Sequence, residues 1–197
     1  MVRTWNLALA LVAGALLVAA PQSQAQEMTP EVMAAWAEAT TPGEHHQVLN
    51  GSVGRWEQKL TIWMAPGAPP MESTSTSTAA WTFDGRWMEE NITGNFMGMP
   101  FQGRSLMGYD NFRGEYVSVF MDNMSTAPMI ARGTYDPATR TFTLTGTMDD
   151  FIVGTRDIPF RQVTTITDDT HATMEMYAPG PDGNEFLTFK VETTKVE

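Results

Sequence analysis

The sequence predicts an all-β protein, an antiparallel up-and-down β-barrel of about ten strands preceded by short N-terminal helices. Three observations carry this. From Gly54 onward apolar and polar residues alternate with a period of two. Turn sequences rich in Asp, Asn, Gly and Pro recur between those runs. No connection between them is long enough for a crossover helix, so consecutive strands pair antiparallel, and closing the sheet removes its exposed edges. A β-sandwich is the alternative architecture.

Residues 1–25 read as a cleaved signal peptide. Arg3 gives a positive start, Leu7–Ala20 an apolar run, and Ser23-Gln24-Ala25 a small-x-small cleavage site. The run is shorter than the about 20 apolar residues a membrane-spanning helix needs. Cleavage after Ala25 implies a periplasmic or secreted protein, with no membrane association afterwards. Residues 26–52 form a helical segment and 53–197 the barrel domain. With no cysteine there is neither a disulfide nor a lipid attachment site, so the core alone holds the fold. The net charge of −11 repels phosphate backbones and anionic lipids, which argues against nucleic acid as a partner.

Thr29 caps a first helix with Pro30 at its first position. Thr41-Pro42-Gly43-Glu44 repeats that logic for a second, which ends near Asn50-Gly51. A strand from Gly54 to Ala65 places Trp56, Gln58, Leu60, Ile62 and Met64 on one face. Glu72–Phe83 follows, and its Ser73–Thr78 repeat, small and polar on both faces, suggests a solvated edge or rim. Asp84-Gly85 is a two-residue hairpin turn that pairs Trp81 with Met88. Trp81, Phe83, Met88 and Ile92 then share a face with Glu90, which if buried needs a partner or a proton. Gly94–Pro100 reads as a loop rich in glycine and methionine.

Phe101–Tyr109 and Glu115–Asp122 make the central hairpin around Asp110, Asn111 and Gly114. Its inward face is open, because Tyr116 and Phe120 lie on one side and Val117, Val119 and Met121 on the other. Met129–Tyr135 and Thr141–Thr147 flank a proline turn, Asp149-Asp150 forms an acidic loop, and Arg156–Thr167, His171–Ala178 and Phe186–Val196 complete the set.

Gly54-x-Trp56, after a short helix and opening the first strand, resembles the signature of the calycins, the lipocalin-like barrels. That resemblance implies a tryptophan packed across the closed barrel end against a late-strand basic residue, here Lys190 or Arg161. Gly85-Arg86, Met99-Pro100-Phe101-x-Gly103, Gly108-Tyr109-Asp110-Asn111, Asp122 with Thr126, and Gly133-Thr134 are similar to domain-of-unknown-function family 1579. Phe120 departs from its pattern, which commonly has tryptophan there. The resemblance implies a small β-rich domain and transfers no activity.

Candidate chemistry is sparse. No nucleophile elbow, phosphate loop or zinc-protease motif is present, and no cofactor or catalytic residue is assigned. His45-His46 read as a solvated helix face rather than metal ligands. His171 has two readings, a rim residue or a haem ligand or base. Asp122 invites acid–base chemistry. The 15 methionines, among them Met97-x-Met99, Met121, Met124, Met129 and Met174-x-Met176, suit either Cu(I) or a deformable apolar pocket. The leading reading is a barrel that binds a small hydrophobic molecule. Trp56, Trp81, Phe101, Tyr109, Tyr116 and Phe120 line or close the pocket, and Asp122 or Arg132 supplies the polar contact. A small acid–base enzyme on the same barrel and a solidly packed envelope protein acting through its surface are the alternatives.

Overall fold

The computed structural model describes residues 28–196. The expected signal peptide and its cleavage site lie outside them. Helix α1 (Pro30–Thr40) begins where Thr29 accepts a hydrogen bond from the Val32 amide. It buries no side chain, and is tied down where the Asn111 side chain donates to the Glu38 and Thr41 carbonyls. Helix α2 (Glu44–Gln47) runs into a 3-10 turn over Val48–Ser52. The expected Thr41 cap is not used. Gly43 caps α2 instead, its amide donating to Nδ1 of His46, so the helix starts two residues further on.

Ten strands follow: β1 (Gly54–Ile62), β2 (Met71–Thr82), β3 (Trp87–Phe96), β4 (Met99–Asp110) and β5 (Glu115–Asp122), then β6 (Met129–Asp136), β7 (Thr141–Asp150), β8 (Thr155–Ile166), β9 (His171–Pro179) and β10 (Glu185–Lys195). Each pairs antiparallel with its sequence neighbours, and β1 pairs with β10 to close the barrel. The Asp84-Gly85 turn sets the expected register, Trp81 opposite Met88. Phe83 falls in the turn itself, at positive φ and exposed, rather than on the inner face.

Two expectations are corrected. Ser73–Thr78 is no edge, because β2 lies between β1 and β3 in the closed sheet. Ser75 and Ser77 are buried on its inner face, and Thr74, Thr76 and Thr78 stand outside. Small hydroxyl side chains leave room there for the longer polar groups of Gln58 and Glu90. Gly94–Pro100 is not a loop either. β3 and β4 continue through it, and only Met97 and Gly98, both at positive φ, make the turn.

With an even number of strands, alternate turns fall at opposite ends. The β2–β3, β4–β5, β6–β7 and β8–β9 turns share one end with α2 and the 3-10 turn, which plug it. Leu49, 1% exposed, sits in the core cluster among Ala79, Met88, Tyr116, Phe142 and Leu144. The Tyr116 hydroxyl donates to the His45 carbonyl at 2.9 Å, and Tyr109 stacks on the His45 ring at 4.2 Å. Burial, with Tyr109 and Tyr135 beside it, pushes the Tyr116 phenol up to about 12. Of the histidine pair, His46 is therefore buried in the plug, whereas His45 remains exposed as expected, its ring stacked on Tyr109. His46 is buried, and desolvation with His45 and Arg86 nearby lowers its pKa. Leu49→Ala should cost about 2–5 kcal/mol in urea unfolding. Tyr116→Phe, which leaves the His45 carbonyl without its donor, should cost about 1 kcal/mol.

Candidate functional site: the barrel interior

Strand alternation aims one side chain in two at the barrel axis. Large residues fill the plugged end, and beyond them the barrel holds a cavity of about 420 Å³. Its deep end is bounded by Trp56, Ala79, Met107, Ala131 and Phe160. Met174, Met176 and Val191 form one wall. Phe96, Phe101, Phe120, Asp122 and Met124 bound it at the mouth, the end opposite the plug. Gly103 keeps that region passable, since a Cβ there would stand 3.2 Å from the rings of both Phe101 and Phe120. The mouth-end loops are apolar and exposed at Met64, Met97 and Phe151-Ile152-Val153. A larger groove of about 690 Å³ crosses the outside of β1 and β2, but it is shallow and its one lysine is already paired, Lys59 Nζ lying 2.9 Å from Glu72. The enclosed cavity is the candidate site.

On the β1–β3 side of the lining the polar groups are joined into one hydrogen-bonded cluster. Gln58 on β1 donates from Nε2 to Oε1 of Glu90 on β3 at 2.9 Å, reaching past β2. Its Oε1 accepts from the Ser75 hydroxyl at 2.7 Å, and its Nε2 also lies 3.3 Å from the Ser77 hydroxyl. Burial raises the Glu90 pKa, and hydrogen bonds from Ser77 and Gln58 only partly offset it. The surface that Glu90 retains faces the cavity. Among the described residues no arginine, lysine or histidine lines this cavity. Among the described residues no group of three His, Cys, Asp or Glu side chains could hold a metal ion.

Of the residues singled out in the sequence, Trp56, Phe101, Phe120 and Asp122 line the cavity. Trp81, Tyr109, Tyr116 and Arg132 do not. Trp81 donates from Nε1 to Asn50 at 2.8 Å, and Tyr109 and Tyr116 pack in the plug. Arg132 alternates with the buried Ala131, faces outward and pairs with Glu115 at 2.8 Å. Asp122 is engaged at the mouth, its Oδ1 accepting from the Met124 and Ser125 amides and so forming the β5–β6 turn. His171 lies at the other end of the barrel, on the exposed β8–β9 turn beside Asp168 at 3.0 Å, so the two candidate acid–base residues share no site. The methionines divide. Met124, Met129, Met174 and Met176 line the cavity, whereas Met97, Met99 and Met121 are exposed.

Trp56 bridges the deep end, donating from its indole to the Ser52 carbonyl at 2.8 Å. Neither Lys190 nor Arg161 reaches it, since they pair with Glu192 and Glu185. Lys195, directly opposite Trp56 in the β1–β10 register, stands over its ring at 5.4 Å. The residues that sequence reasoning left unassigned are Gln58, Ser75 and Glu90. Inward parity at Glu90 was their signal.

Because the folded state holds the Glu90 proton more tightly than the unfolded chain, stability should fall as pH rises from 4.5 toward the raised folded value, then level off. Glu90→Gln should remove that decline. Urea midpoints across a pH series, wild type against variant, check it.

The comparisons with known proteins agree on the architecture. No functionally curated protein matches the sequence. The crystal structure of Rv2717c from M. tuberculosis superposes with a TM-score of 0.60 at 12% identity, covering 80% of this chain and 100% of that one. The S-type phycobiliprotein lyase CPES from Guillardia theta superposes with a TM-score of 0.55 at 11% identity, covering 82% and 97%. At such identities the likeness is one of fold, a lipocalin-like barrel. A family model matches residues 41–195, from the segment before α2 to the end of β10. The chain therefore belongs to the family described as Protein of unknown function (DUF1579).

Proposed function

We propose that this protein is an exported binding barrel that holds a small, largely apolar molecule in its interior. The observation that carries the reading is the enclosed cavity of about 420 Å³, within the about 300–1,000 Å³ usual for small-molecule sites. Its walls combine aromatic rings with five methionines, side chains that adapt to a guest's shape. The polar cluster at Gln58 and Glu90 would orient the guest. A phycobiliprotein lyase on a similar barrel supports a small-molecule reading, although likeness of fold alone assigns no ligand. Export rests on Arg3, the Leu7–Ala20 run and the Ser23-Gln24-Ala25 site, and it places the protein in the periplasm or outside the cell.

The test is native mass spectrometry of the exported protein, before and after denaturation, joined to titration with a solvatochromic naphthalene dye. The expected outcome is a dye that brightens on binding and is displaced by apolar compounds. Met174→Trp, which fills the cavity from β9, should weaken dye binding at least about tenfold while the protein stays folded, a loss of about 1.4 kcal/mol. Undiminished binding in that variant would place the guest elsewhere.

A further inference from the structure

The geometry points to a lipophilic amine as the ligand class, with its ammonium group seated at the Glu90 carboxylate and its apolar tail toward the mouth. This rests on the interior-binding reading and names the chemistry of the guest. Among the described residues two carboxyl groups line the cavity, Glu90 in the polar cluster and Asp122 at the mouth, and no basic side chain does. The basic residues pair instead on the outer surface, among them Lys59 with Glu72, Arg104 with Glu89, Arg132 with Glu115 and Arg161 with Glu185.

Glu90 is a half-buried acid whose partners, Gln58 and Ser77, are neutral. On the elements around it, β1 and β2 present Gln58, Ser75 and Ser77, β4 presents Ser105, and β5 presents Ser118 and Asp122. None of these carries a positive charge, and on β3 itself Glu89 pairs outside with Arg104. Lys195 is held over Trp56 at the plug and does not line the cavity. A buried carboxylate without a counter-ion is costly, and an incoming cation supplies what the protein omits. The net charge of −11 attracts a cation from a distance. A fatty acid would instead bring a third carboxylate to two.

The proton balance gives the reading a signature. Where Glu90 is protonated in the empty barrel, an incoming ammonium exchanges for its proton. The product is a carboxylate–ammonium pair and one proton released to solvent, so amine affinity rises with pH through that range.

Isothermal titration calorimetry with dodecylamine, dodecanol and dodecanoate, which share one alkyl tail, tests this in wild type and Glu90→Gln. Wild type should bind the amine at least about tenfold tighter than the alcohol and dodecanoate most weakly. Repeating the amine titration in buffers of different ionisation enthalpy should show proton release. Glu90→Gln should lose the amine's advantage and keep alcohol binding, which also shows that the variant is folded. Alcohol binding without preference for the amine, or dodecanoate binding as tightly as the amine, would overturn this inference and leave the interior-binding reading standing. Failure of all three ligands would overturn both.

Discussion

The pairing of β1 with β10 is the contact on which the rest depends. Seven residue pairs, Trp56 with Lys195 through Ile62 with Phe189, join the two ends of the sheet. Without them the sheet would have two open edges, and Ser75, Ser77 and Gln58 would face solvent. With them every strand has two neighbours, and inward side chains meet across a common axis. Closure also sets Lys195 over Trp56 and so ties the last strand to the first at the plugged end.

The plug decides where that closed space is filled. Leu49, Tyr116, Phe142 and Leu144 pack solidly beneath α2 and its 3-10 extension, and the polar atoms there are paired by Tyr116, His46 and Asn50. Toward the mouth no described segment fills the axis, and the space is bounded by methionines, serines and the rings of Phe96, Phe101 and Phe120. On the proposed binding reading, a barrel sealed at one end and hollow toward the other would take and release its guest by one route. The exposed Phe151-Ile152-Val153 turn stands beside that route.

Strand order, antiparallel pairing and the register of the β2–β3 hairpin were legible because turn chemistry and period-two patterning both report local geometry. The Asp84-Gly85 pair fixed Trp81 opposite Met88 on its own. The central hairpin was not legible, since its apolar residues fall on both faces, and outward Val117 is as buried as many inward residues. Ser73–Thr78 misled for a related reason. Hydroxyl side chains carry no parity signal, and their burial depends on Gln58 and Glu90 from neighbouring strands. For the site, alternation told which residues face inward but not how far along the axis each one lies. Tyr109 and Tyr116 share parity with Phe120, yet they belong to the plug while Phe120 lines the cavity. Height along the axis is set by the 3-10 turn that carries Leu49, and no strand pattern records it.

The two chain ends of the barrel meet at the plug. Gly54 opens β1 there and Lys195 closes β10, with the Val196 amide donating to the Arg55 carbonyl at 2.8 Å. A tether, fusion partner or immobilising tag attached beyond either end would therefore grip the molecule by its sealed base. The barrel mouth would face away from whatever holds it, and a surface carrying the protein by the end of β10 would display an array of upright, unobstructed cups.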